Sequence, residues 1–155
     1  MKPVLQAIIL AEHIYQDKWT GKFVIAGTFN TIGFGKSSDI PDTQNAGDGP
    51  VRAPGMQAGS PSVYISLSEL RKEEKFLLRY TDLEEDKVLF EVQLTVGSDS
   101  PLLTVELGIP LPSLLPEPHA GHYAIELLWN NELLGARRVT VCEIPKSTTE
   151  PDGET

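Results

Sequence analysis

Apolar and polar residues alternate with a period of two along most of this chain, the pattern of strands with one buried face. The clearest stretch is 121–144. Tyr123, Ile125, Leu127 and Trp129 alternate there with His122, Ala124, Glu126 and Leu128. Asn130-Asn131 follows, and Asn tolerates the positive φ angles that a tight hairpin turn needs. The return strand carries Leu133, Leu134, Val139 and Val141, with Arg137 and Arg138 between them. A two-residue turn pairs Trp129 with Glu132 and puts His122 and Cys142 on opposite faces. A three-residue turn puts them on one face.

Earlier segments follow the same rule. Residues 4–15 are apolar on both faces, Ile8 and Leu10 on one and Leu5, Ala7, Ile9 and Ala11 on the other. That predicts a strand inside a sheet. Residues 16–21 form a turn, with Gly21 suited to a left-handed position. A second strand is predicted over 22–32, with Phe23, Ile25 and Phe29 on one face and Gly27 marking a bulge or close backbone approach. Further strands are predicted at 62–70, 76–80, 87–96 and 102–107. A charged turn at 71–74, an acidic turn at 82–86 and a turn at 97–101 separate them. Residues 66–75 have an alternative as two helical turns.

The approach to the last hairpin contains Pro116, Pro118, Ala120 and Gly121, with Tyr123 at the start of the strand. It resembles the tyrosine corner of immunoglobulin-like sandwiches, where the Tyr hydroxyl ties back to the preceding corner. Ile125 stands where antibody domains carry Cys, so their inter-sheet disulfide is absent. Pattern and resemblance predict an all-β fold of about eight strands. The expected form is a two-sheet antiparallel sandwich, immunoglobulin-like or a related Greek key, with a closed β-barrel as the alternative.

A second resemblance lies in 7–29, carried by Glu12-His13, Tyr15, Asp17, Thr20-Gly21-Lys22 and Gly27-Thr28-Phe29. This block resembles the opening of an uncharacterised family of small bacterial proteins. The resemblance implies a cytoplasmic all-β domain and supplies no catalytic residues.

Residues 33–61 break the alternation. They are rich in Gly, Pro and Ser, which predicts a long, flexible loop. Its apolar and basic exceptions, Phe34, Val51, Arg52, Met56 and Gln57, are the candidate partner-binding anchors. Residues 146–155 read as a disordered acidic tail, which leaves one domain over 1–145.

Composition narrows the function classes. A net charge of −9 disfavours a nucleic-acid backbone as partner. The only cysteine, Cys142, precludes an internal disulfide framework and fits a reducing compartment. The N-terminal apolar run is interrupted by Gln6 and ended by Glu12-His13. It is too short to span a membrane and lacks a signal-peptidase site. A cytoplasmic location is expected.

Candidate chemistry is sparse. His119, His122 and Cys142 offer too few converging ligands for structural zinc. Asp39, Asp42 and Asp48 match no calcium-loop spacing. Glu12 and His13 point to opposite faces of a strand. GFGKSS at 33–38 lacks P-loop spacing, and no GxSxG elbow is present. Trp19 and the acids of 82–86 read as turn packing and a solvated rim. The expectation is a non-enzymatic protein-interaction or structural module, with a protein partner, no cofactor and no metal. Homo-oligomerisation is left open. Two rivals stand: a small enzyme or ligand-binding protein with 33–61 as lid and His13 or His122 at its site, and a calcium-dependent sandwich.

Overall fold

The computed structural model describes residues 1–35, 61–116 and 118–145. Nine strands and no helix occur among them: β1 (Val4–Gln16), β2 (Phe23–Thr28), β3 (Thr31–Phe34), β4 (Ser62–Ser68), β5 (Glu74–Asp82), β6 (Lys87–Val96), β7 (Val105–Pro110), β8 (Gly121–Trp129) and β9 (Glu132–Glu143). One sheet has the order β2-β1-β4-β7, the other β3-β9-β8-β5-β6. Among the described residues each sheet keeps two edges, so the fold is a two-sheet sandwich and not a closed barrel. The pairings are antiparallel except β3 with β9, which is parallel.

The core forms where inward faces meet. Val63, Ile65 and Leu67 of β4 face Phe76, Leu78 and Tyr80 of β5 and Tyr123, Ile125 and Leu127 of β8, each nearly or wholly removed from solvent. Tyr80 stacks on Tyr123 with ring centroids 5.4 Å apart. The Tyr123 hydroxyl donates to the His119 carbonyl at 2.7 Å, tying β8 to the connection before it. The Asn130-Asn131 turn has two residues, both at positive φ (48° and 63°), and pairs Trp129 with Glu132.

Several expectations are corrected. The predicted strand 22–32 is two strands in different sheets. Gly27 adopts φ 72°, β2 ends at Thr28, and the chain crosses to pair with β9. A bulge between Leu5 and Ala7 turns Leu5 to the inner side with Ile8 and Leu10. The predicted strand 102–107 begins only at Val105. Ser98 and Ser100 hold a turn before it, the Ser98 hydroxyl donating to Ser100 O at 2.8 Å, and Leu102 and Leu103 are left exposed. Residues 66–75 hold no helical turn.

The strand directions fix the two ends of the sandwich. Ala11, Ser62 and Pro110 mark one end, together with Asp82 and Gly121. At the other end Lys2 is paired with Glu132. Both flanks of 36–60, Gly35 and Pro61, lie at the first end, where β3 leaves and β4 begins.

Candidate functional site

At that first end β1 outruns its partner. Its pairing with β4 stops at Ala11, and from there to Gln16 it pairs only with β2. Alternation puts Ile14, Phe23 and Ile25 on one face of this hairpin, and His13, Tyr15 and Val24 on the other. The first face packs. The Phe23 ring meets Tyr64 edge-on at 5.8 Å. A Cβ at Gly108 would stand 2.8 Å from Ile14 Cγ2, so the bare backbone of β7 is what lets the hairpin lie down there. The second face is open, with Tyr15 more than half exposed.

Asp17 builds the turn of this hairpin. Its Oδ1 accepts hydrogen bonds from Thr20 N (2.8 Å), Trp19 N (2.9 Å) and Thr20 Oγ1 (3.1 Å). The backbone closes around it, with Asp17 N donating to Lys22 O and Gly21 N to Asp17 O, Gly21 sitting at φ 68°. Gln16 Nε2 adds a bond to Gly21 O. The Thr20 and Trp19 N–H groups, then the Thr20 hydroxyl, hold the Asp17 carboxyl below the usual carboxylate range.

Trp19 is therefore held at its backbone and free at its side chain, which is 96% exposed. This corrects the reading of Trp19 as turn packing: the turn is packed by Asp17. Lys18 and Lys22 are exposed in the same turn. A tied backbone presenting a large amphipathic ring is a surface for contact with another molecule.

A second feature occupies the same end. A cavity of about 300 Å³ is lined by Asp82, Glu85, Lys87, Val88, Leu89, Pro116, His119 and Tyr123. Asp82 is no solvated rim acid. It is the last residue of β5 and 5% exposed, and its Oδ1 accepts Glu84 N (2.9 Å) and Glu85 N (3.1 Å). The His119 ring lies beside Tyr123, Nδ1 to hydroxyl 3.2 Å. Because that hydroxyl donates to a carbonyl, Nδ1 is placed to donate to its oxygen. Among the described residues the lining contains no Ser, Thr or Cys nucleophile.

The sequence candidates fall apart from these features. Phe34 belongs to β3 and is buried in the core, not held out on a loop, because β3 pairs with β9 through that position. Val51, Arg52, Met56 and Gln57 lie outside the described residues, as do Asp39, Asp42 and Asp48. His13 and His122 are exposed on strands, and neither lines the cavity. Cys142 is exposed, not a buried apolar thiol. A bulge between Leu127 and Leu128 moves His122 opposite Thr140, which puts His122 and Cys142 on one face despite the two-residue turn. Among the described residues no three His, Cys, Asp or Glu side chains stand together as a metal site. No protein-family model matches the chain, and no curated protein matches it either.

Proposed function

We propose that this chain is a non-enzymatic, cytoplasmic interaction module of immunoglobulin-like connectivity that engages a partner protein through the tip of its β1–β2 hairpin. The observation that carries the reading is Trp19, almost fully exposed on a turn whose backbone is already fixed. Tryptophan is enriched among residues that dominate binding energy. A turn ordered before contact loses little further conformational entropy on binding. Lys18 and Lys22, exposed in the same turn as Trp19 on a chain of net charge −9, favour a partner pocket with an acidic rim. The parallel β3–β9 pairing and the bond from Tyr123 to the preceding connection support immunoglobulin-like connectivity. Val51, Arg52, Met56 and Gln57 are proposed as auxiliary contacts on composition alone.

The test is a binding titration with the partner captured from the native cell and then purified. Trp19→Ala is expected to weaken saturable binding by about thirtyfold, the roughly 2 kcal/mol of a hot-spot aromatic. Leu102→Ala, which truncates an exposed apolar residue in a different turn, is expected to leave it unchanged. Equal affinity of wild type and Trp19→Ala would refute the reading.

A further inference from the structure

Among the described residues the sheets end in four edge strands, β2, β7, β3 and β6. The first three are blunted. β2 has six residues and carries Gly27 at φ 72°, β7 has six with Gly108 inside it and Pro110 at its end, and β3 has four. β6 is different. It runs for ten residues without Pro or Gly, and among the described residues it pairs only with β5. Its one bulge, opposite Tyr80 and Thr81, lies near its start and leaves Phe90 to Val96 in regular register. Its inward row is also unfinished. Phe90, Val92 and Leu94 are only half-buried, whereas Tyr80, Leu78 and Phe76, which face them on β5, are 0%, 0% and 3% exposed. A long edge whose apolar side chains stand half in water is a template for another strand.

We propose that β6 pairs antiparallel with the β6 of a second copy of this chain, about a two-fold axis at Val92, joining the two five-stranded sheets edge to edge. The strand is self-complementary in that register. Val92 meets its own copy, Phe90 meets Leu94, and Glu91 meets Gln93. Half-buried apolar residues then oppose one another on the inner face, and exposed Glu91 and Gln93 oppose one another on the outer face. The Arg79 opposite Glu91 is already engaged by Glu126, Nε to Oε2 at 2.6 Å, so the Gln93 amide of the second copy is a fitting donor to the Glu91 carboxylate. Other registers fit less well. Centring on Glu91 sets two carboxylates against each other, and an offset of one residue sets apolar against polar along the whole strand. Centring on Gln93 spends the pairing on Val96, which is already buried. The β1–β2 hairpin belongs to the other sheet, so this pairing is independent of contact through Trp19.

The test is sedimentation equilibrium of the full chain from micromolar to millimolar concentration, with amide hydrogen exchange followed over the same range. Expected are a reversible monomer–dimer equilibrium and protection of the amides of 90–94 that rises with concentration, with no such rise at 23–28. Gln93→Glu sets a second carboxylate opposite Glu91 at an exposed position, and is expected to weaken the dimer about fivefold or more. Gln93→Lys is expected to strengthen it several-fold. In a Cys142→Ser background, a mixture of Glu91→Cys and Gln93→Cys chains is expected to give a disulfide-linked dimer on mild oxidation, and either variant alone only a minor fraction of it. A chain that stays monomeric throughout overturns the proposal. If its 90–94 amides are then protected at every concentration, another part of the chain covers β6. The proposal is equally overturned by a dimer that ignores both Gln93 substitutions, or by crosslinking no better in the mixture than in the separate variants.

Discussion

Tyr123 shows how one side chain fixes a corner of the fold. Burial, then the charges of Asp82, Glu84 and Glu85, push its phenol up, so it stays a neutral donor to His119 O at 2.7 Å. Removing the hydroxyl strands a carbonyl acceptor. Tyr123→Phe is expected to lose about 1–3 kcal/mol. Tyr123→Ala also removes a ring packed on Tyr80 and is expected to lose about 3–5 kcal/mol. Chemical denaturation of the two variants measures both. Asp17 sets a pH limit on the tip. Its carboxyl is lowered in the folded chain, so its contribution is complete above the ordinary Asp value of about 3.9 and is lost as pH falls through the lower folded value. In a chain labelled with fluorotryptophan, the Trp19 signal is expected to hold steady from neutral pH down to about pH 4. It should then broaden or narrow below that, while Trp129, hydrogen-bonded to Glu74 at 2.9 Å, serves as the internal control. A Trp19 signal that shifts near pH 6 would contradict the Asp17 account. The Tyr123 bond was legible because Pro, Gly and Tyr spacing encodes it locally. The exposure of Trp19 was not, since nothing in the letters says that Asp17 would take up every donor in the turn.

Strands were legible wherever alternation ran unbroken, as in β6 and β8, and their register was not. Three bulges carry the difference, at Leu5/Ala7, Tyr80/Thr81 and Leu127/Leu128. Each inserts one residue and exchanges faces for everything beyond it, which is why Leu5, His122 and Cys142 lie on sides that strict alternation does not predict. The end of β6 depends on a bare backbone in the same way. A Cβ at Gly97 would overlap the Lys72 carbonyl, a backbone group that cannot rotate away, next to the Ser98 N to Arg71 O bond of 2.9 Å. Gly97→Ala is expected to destabilise by about 1–3 kcal/mol or more. Gly35→Ala, whose Cβ meets nothing within 4 Å, is expected to stay within about 0.5 kcal/mol. Equal thermal midpoints for the two variants would mean that the 69–73 turn moves freely and does not clamp β6.

At the scale of the molecule, the sandwich is polarised. One end holds the Lys2–Glu132 pair and the turn carrying Leu102 and Leu103. The other end gathers the base of the Trp19 hairpin, the Asp82 cavity, and both flanks of residues 36–60. A two-layer all-β architecture could be read from strand spacing and turn residues. Which end carries the exposed chemistry could not, because that depends on the order of strands in each sheet and on how β1 and β2 fold over β4 and β7. The central claim is that Trp19 meets a protein partner, and photo-crosslinking in the native cell tests it most directly. A benzophenone amino acid is placed at position 18, beside an intact Trp19, in one chain and at position 102 in another, two exposed positions in different turns. The prediction is one dominant protein adduct from position 18, suppressed by excess wild-type protein and not by Trp19→Ala. The same set of adducts from both positions, or no protein adduct from position 18, would contradict it.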